Sequence, residues 1–261
     1  MVVALQMDGD DLNWRVETAC REAWPAAVDV AVDGWLLRRS GGRIRRTNSV
    51  NPLRGKRGNP DSIIDRAEAF YAEHGQSPLF RVPTIAGEVD DVLDARGYST
   101  EAETITIFAD LDRARAGADA EVSLTPDPDD EWLQARLRMD ADRTRDALIF
   151  RGMVASIPGQ KRFAATRADG KIVSIGYGAV HDGLLVLESV ETDPDFRRRG
   201  LAQKTLGSLL AWARGLGTPA ACLQVVAENA PARALYASLG FRQELCRYHY
   251  RRKAADQGDL A

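Results

Sequence analysis

Arg197, Arg198 and Arg199, followed by Gly200 and Ala202, stand directly before an apolar run at helical spacing, Leu201, Thr205, Leu206, Leu209, Leu210 and Ala213. A helix start already presents partial positive charge and unpaired N–H groups, so extra arginines make chemical sense there chiefly when an anion binds. Gly200 permits close backbone approach and unusual dihedrals, and Ala202 keeps the next turn low. The free amides can then wrap a diphosphate while the arginines supply charge. A basic run alone more often marks a solvated turn, so the surroundings decide.

The chain has 261 residues and is 44% hydrophobic, enough for one large folded unit or two of ordinary size. Its net charge of −3 is spread over interspersed acids and bases. Such a balance gives no global pull toward nucleic acid or an anionic membrane, so any anion site is local. Cys20, Cys222 and Cys246 are odd in number, far apart and without a C-x-x-C pair. That pattern fits a reducing cytoplasm rather than a disulfide framework or a zinc site. The amino terminus turns acidic after a short apolar run without a basic region before it, and no stretch approaches 18 apolar residues, which predicts neither export nor a membrane span.

The small, polar segment Ala114 to Asp130 reads as a boundary between residues 1–113 and a second domain at 118–252, with 253–261 as a tail. Two helical patterns follow it, the first starting at Asp129 or Asp130 and the second over 141–157. Asp169-Gly170 and Asp182-Gly183 then divide three β-rich runs into consecutive hairpins. The helix after Gly200 stops near Gly215 and Gly217, a strand spans 220–228, a short helix ends at Gly240, and a last strand covers 241–252. Residues 1–113 echo this order: strands in "GWLLRRSG" and "RIRRTNSVNP", a helix in "DSIIDRAEAFYAEHG", a strand in "PLFRVP", a short helix to Gly97, and a strand from Tyr98. The shared ending of helix, glycine, aromatic and strand suggests an internal duplication.

A strand with Val190, Thr192 and Pro194, the R-x-x-G-x-A turn from Arg197 to Ala202, an amphipathic helix, a strand, Asn229 and "ALYASLGF" at 234–241 occur in this order. This succession resembles the GNAT superfamily of acyl-CoA-dependent N-acyltransferases over about residues 120–252. The resemblance implies an α/β (α+β) fold of tandem units, each a mixed, mostly antiparallel sheet flanked by helices. In the second unit the two central strands splay in a V. It also implies acetyl-CoA as cosubstrate, with backbone around Val190 to Thr192 pairing the pantetheine arm. The diphosphate would lie over Arg197, Arg198, Arg199, Gly200, Leu201, Ala202 and Gln203, with Asn229 touching the cofactor near the second strand. Asn229 also suits a helix cap.

Tyr236 matches the tyrosine that protonates the departing thiolate in that superfamily. Phenol and thiol pKa values of roughly 10 and 8.5 make the transfer reasonable. Packing at helical spacing with Ala232 and Leu239 is its alternative use. The attacking amine must lose a proton, and Glu191 and Glu188 lie on the strand that lines the implied cleft. By simple alternation these two face opposite sides, and Glu191, beside the carbonyl-binding backbone, is the expected acceptor, with Glu188 or water as alternatives. Relatives acting on ribosomal proteins carry a glutamate where this chain has Gln224, which sets it apart from them.

In the front half Arg57 occupies the position where a matching turn needs glycine, so residues 1–113 read as a degenerate GNAT-like partner. No P-loop, H-E-x-x-H or G-x-S-x-G motif occurs, Gly176-Tyr177-Gly178 lacks a third glycine, and His74, His181 and His249 are dispersed, so no metal is expected. The expected activity is direct acetyl transfer from acetyl-CoA to a primary amine, on a small molecule, by a cytoplasmic monomer or homodimer. A CoA-binding or interaction module without turnover is the competing expectation.

Overall fold

Asp-Gly pairs fix the strand order. In the computed structural model, which describes residues 9–139 and 146–253, Asp169 and Gly170 both take positive φ (50° and 77°), as do Asp182 and Gly183 (47° and 71°). That is the geometry of a tight hairpin turn whose twist matches its strands. They join β7 (Gln160–Ala168), β8 (Lys171–His181) and β9 (Leu184–Thr192) into an antiparallel meander. A third pair, Asp33-Gly34, turns β1 (Val28–Val32) into β2 (Trp35–Arg39).

The remaining elements are α1 (Gly9–Glu22), β3 (Val50–Pro52), α2 (Pro60–Ala72), β4 (Leu79–Pro83), α3 (Asp90–Ala95), β5 (Tyr98–Asp110), β6 (Val122–Thr125), α4 (Asp130–Met139), α5 (Ala147–Ser156), α6 (Leu201–Gly215), β10 (Ala220–Val226), α7 (Ala230–Leu239) and β11 (Gln243–Lys253). Two expectations change. The stretch Arg45–Thr47 forms a 3-10 turn rather than strand, held by the Asn48 side chain, whose Nδ2 donates to the carbonyls of Gly41 (2.8 Å) and Ile44 (2.9 Å). Within the expected linker, "VSLT" alternates and pairs as β6 on β7. The start of the second helical pattern, 141–145, and the tail 254–261 lie outside the described residues.

The chain divides into two compact units that interleave in sequence, instead of following the sequential halves expected above. One comprises residues up to Pro25, Thr106–Val225 and Asn229–Leu245; the other comprises Ala26–Ile105, Val226–Glu228 and the chain from Cys246 onward. In the second of these, strands run β1-β2-β3-β4-β11, with β3 parallel to β4 and the rest antiparallel. Its core gathers Trp35, Leu37, Ile64, Tyr71, Phe80 and Leu93 under α2 and α3.

In the first unit the order is β5-β10-β9-β8-β7-β6, with β10 parallel to β9. Helix α6 packs on β7, β8 and β9 through the side where Gly176 and Gly178 leave room for Thr205, Leu209 and Trp212. On the opposite face α1 and α4 cover β8 and β9. There the Tyr177 hydroxyl donates to the Ala23 carbonyl at 2.9 Å, and Trp132 packs edge-on against Phe163. Among the described residues no helix is long and apolar enough to cross a membrane.

Candidate active site

Strand β9 changes its pairing halfway along. Ile175 of β8 stands opposite Glu191 and Tyr177 opposite Glu188, so two residues of β9, Ser189 and Val190, face the single residue Gly176. This is a β-bulge, and Ser189 takes the left-handed conformation at φ 48° that it requires. Residues paired across an antiparallel ladder project to one side, as do Ile175 and Tyr177, two apart on β8. Glu188 and Glu191 therefore share a face, and the simple alternation that separated them is corrected by the extra residue.

Parallel pairing of β9 with β10 covers only Leu184 with Ala220, Leu185 with Ala221, and Val186 with Cys222. Beyond that point the two strands continue to Thr192 and Val226 without a shared register. The expected splay is present. A cleft of about 650 Å³ opens beside it, lined by Met139, Val190, Glu191, Thr192, Arg197, Arg198, Asn229 and Pro231.

Thr192 is held by a chain of hydroxyls. Its Oγ1 lies 3.2 Å from Ser174 Oγ, which accepts from Thr205 Oγ1 at 3.1 Å, and Thr205 Oγ1 is 2.8 Å from Thr166 Oγ1. The network ties the cleft edge to α6, β7 and β8, and buried hydroxyls satisfied this way resist displacement. After β9, the Asp193 side chain caps the turn Pro194–Phe196 by accepting from the Asp195 amide at 3.1 Å. Arg198 and Gly200 then take positive φ, 60° and 77°, and a Cβ at Gly200 would meet nothing within 4 Å. The turn is open in front of the first amides of α6, those of Leu201, Ala202 and Gln203.

The three arginines divide. Arg197 and Arg198 line the cleft, with Arg197 Nε donating to the Thr192 carbonyl at 3.2 Å. Arg199 instead donates to the Asp195 carbonyl at 3.1 Å, and its guanidinium lies 4.8 Å from the Phe196 ring centre. Asn229 caps α7 by accepting from the Ala232 amide at 3.1 Å and also lines the cleft. Tyr236 lies on α7, 8% exposed, edge-on to Phe241, and is not among the residues that line the cleft.

Glu17 on α1 escaped the sequence reading. It is 7% exposed, and Glu188 is 5% exposed. Gln224 of β10 places its Nε2 3.5 Å from Glu17 Oε1 and 3.4 Å from Thr106 Oγ1 of β5. The Cys20 thiol is pushed well up, first by its hydrogen bond to Cys222 and then by burial, with Glu17 and Glu188 adding negative charge. The available signal was helical: Asp10 and Asp11 in a first turn, with Trp14, Val16, Ala19 and Cys20 buried behind them. Among the described residues no cluster of three or more metal-ligating side chains occurs.

A splayed pair of parallel strands beside a glycine-opened helix start is the architecture of a GCN5-related N-acetyltransferase. A solved structure of that description from Kribbella flavida superposes with a TM-score of 0.69, covering 99% of this chain and 100% of its own at 15% identity, and so shares the fold. The chain belongs to the family described as "Probable histone acetyltransferase Rv0428c C-terminal", whose model matches residues 14–252. Among curated relatives, the N-acetyltransferase YobR of Bacillus subtilis (strain 168) is 23% identical over 94% of this chain and 99% of its own length. A mycothiol acetyltransferase of Clavibacter michiganensis is 28% identical over 82% of this chain and 74% of its own length. The protein is an acetyl-CoA-dependent N-acyltransferase of the GNAT class.

Proposed function

We propose that this protein moves the acetyl group of acetyl-CoA directly onto a primary amine of a small molecule. The observation that carries the reading is the loss of β9–β10 pairing beyond Val186 and Cys222, with Val190, Glu191, Thr192, Arg197, Arg198 and Asn229 gathered on the cleft that opens there. Acetyl-CoA supplies the acyl group as a thioester. The backbone of Val190 to Thr192, no longer in register with β10, offers strand-like hydrogen bonds to an amide-bearing arm, and the amides of Leu201, Ala202 and Gln203, with Arg197 and Arg198, hold the diphosphate. Arg199 steadies the turn from behind, and Gly200 keeps it open.

Proton bookkeeping assigns two groups. Glu191, directly or through a water, takes the proton that the amine gives up as its nitrogen bonds to the carbonyl carbon. The phenol of Tyr236 gives a proton to the sulfur as the thioester bond breaks. A backbone N–H of the bulged strand stabilises the oxyanion between these steps. Asn229, whose Oδ1 is engaged in the cap, has its Nδ2 for the cosubstrate.

A small acceptor is favoured by the relative named for mycothiol acetylation, whose likeness spans 82% of this chain. The unit built mainly from residues 26–105 acts as a degenerate GNAT-like partner without a second diphosphate site. Arg57 fills its own turn, donating to the carbonyls of Leu53 (2.8 Å) and Gly55 (3.2 Å) and to the Glu88 carboxylate. The test is mass spectrometry of amine mixtures and of histone peptides, each incubated with acetyl-CoA and the enzyme. An acetylated small amine is the expected product. Peptide acetylation alone would overturn the acceptor class, and no product from either would overturn the activity.

A further inference from the structure

One buried chain of hydroxyls joins the two ends of the cosubstrate seat. At the strand end, Ser174 of β8 stands opposite Thr192 of β9, and its Oγ donates to the Glu191 carbonyl at 3.2 Å while lying 3.2 Å from Thr192 Oγ1. At the helix end, Thr205 Oγ1 lies 3.0 Å from the carbonyl of Leu201, the first residue of α6, and 3.1 Å from Ser174 Oγ. Thr205 carries a single hydroxyl proton, so these two acceptors share it, and Thr166 Oγ1 of β7, 2.8 Å away, donates in turn to Thr205. Thr166, Ser174 and Thr205 are fully buried, and none of them lines the cleft. Packing alone does not ask for this arrangement. Thr205 sits on the apolar stripe of α6 between Leu201 and Leu209, where a valine of similar shape would leave no polar atom to satisfy. Its methyl already packs there: a Cβ on Gly176 would stand 3.7 Å from it and 3.6 Å from a Val190 methyl. The hydroxyl adds a link between two carbonyls on either side of the turn, one beside the amides offered to a diphosphate and one in the strand offered to the thioester-bearing arm.

Within the acetyl-transfer reading, on which this rests, we infer that Thr205 and Ser174 are positioning residues: their hydroxyl chain fixes the first turn of α6 against β9, so that a seated diphosphate sets the thioester carbonyl in register with Glu191. Both act through backbone, Thr205 through Leu201 and Ser174 through Glu191. Without the chain, the diphosphate keeps its amides and arginines and the arm keeps its strand. Only their spacing is released. Ground-state binding therefore changes little, while a loosely placed thioester reacts more slowly.

The experiment measures kcat with the best amine from the mass-spectrometric screen, and CoA affinity by calorimetry, for wild type, Thr205→Val, Thr205→Ser, Ser174→Ala and the double variant Thr205→Val with Ser174→Ala. Thr205→Val should lower kcat at least about tenfold, the scale of a small misplacement of reacting groups, with the CoA dissociation constant within about threefold of wild type. Thr205→Ser keeps the hydroxyl and should recover most of kcat. Ser174→Ala should show the same split, and the double variant should be no slower than the slower single one, because both cut one chain. Wild-type kcat in Thr205→Val, no recovery in Thr205→Ser, an additive double variant, or a fall in CoA affinity as large as that in kcat would each overturn the inference and leave acetyl transfer intact. If Thr205→Val does not fold, Ser174→Ala carries the same comparison, and failure of both to fold would overturn the inference in favour of a purely structural cluster. A wild type that binds CoA but acetylates nothing overturns both readings.

Discussion

Tyr236 and Gly200 are single residues with separable roles. Replacing Tyr236 by Phe keeps the ring against Phe241 and removes the hydroxyl proposed as proton donor. Turnover should fall about 100-fold, within the range of general-acid catalysis, with CoA affinity unchanged. Turnover within twofold of wild type would leave Tyr236 as packing. At Gly200, φ 77° penalises any Cβ although space is open. Gly200→Ala should lower stability by about 1 kcal/mol in a denaturant titration and weaken CoA several-fold, since the turn must relax away from its open shape. The R-x-x-G-x-A turn was legible as an open, basic helix start because it is local, six consecutive residues whose types declare it. Glu17 was not, because its meaning depends on Gln224, more than two hundred residues away.

At the scale of elements, the bulge in β9 decides which carboxylates meet. Deleting Ser189 removes the bulge and pairs β9 one-to-one with β8, and Glu191, then two places from Glu188, stays opposite Ile175 on the same face. Acetyl transfer should therefore survive the deletion while circular dichroism still shows a folded chain, whereas Glu191→Gln should lower turnover about 100-fold. Turnover in Glu191→Gln within twofold of wild type would remove Glu191 from the proposed proton route. The hairpins at 169–170 and 182–183, helix α6 and its glycine stop could be read from spacing and turn chemistry. The bulge could not, because "ESVE" alternates no differently from a regular strand and only the partner's register reveals the extra residue. Asp33-Gly34 carried the same hairpin signal as the other two, so β1 was available to the sequence and overlooked.

At the scale of the whole chain, sequence order and compact units part company. Helix α1 and the end of β5 belong with residues 111–225 and 229–245, not with the chain that lies between them. The reason is packing: Trp24 contacts Phe150 and Tyr177, and the Leu111 amide donates to the Pro219 carbonyl at 2.9 Å. A fragment of residues 118–252, the catalytic domain of the linear reading, should therefore lack a cooperative melt. Losing Trp24 alone removes packing of about 3–5 kcal/mol. A fragment melting within a few degrees of the full chain would contradict this. Long-range assembly of that kind leaves no local mark in composition or spacing, whereas the catalytic half of the fold, built mostly of neighbours in sequence, did.

Isothermal titration of the full chain with CoA bears most directly on the claim that the opening between β9 and β10 receives the cosubstrate. The expected result is a single saturable site per chain, weakened at least about tenfold by Arg198→Glu, which sets a carboxylate against the diphosphate. No heat from a folded wild type, or the same affinity in the charge-reversed variant, would contradict it.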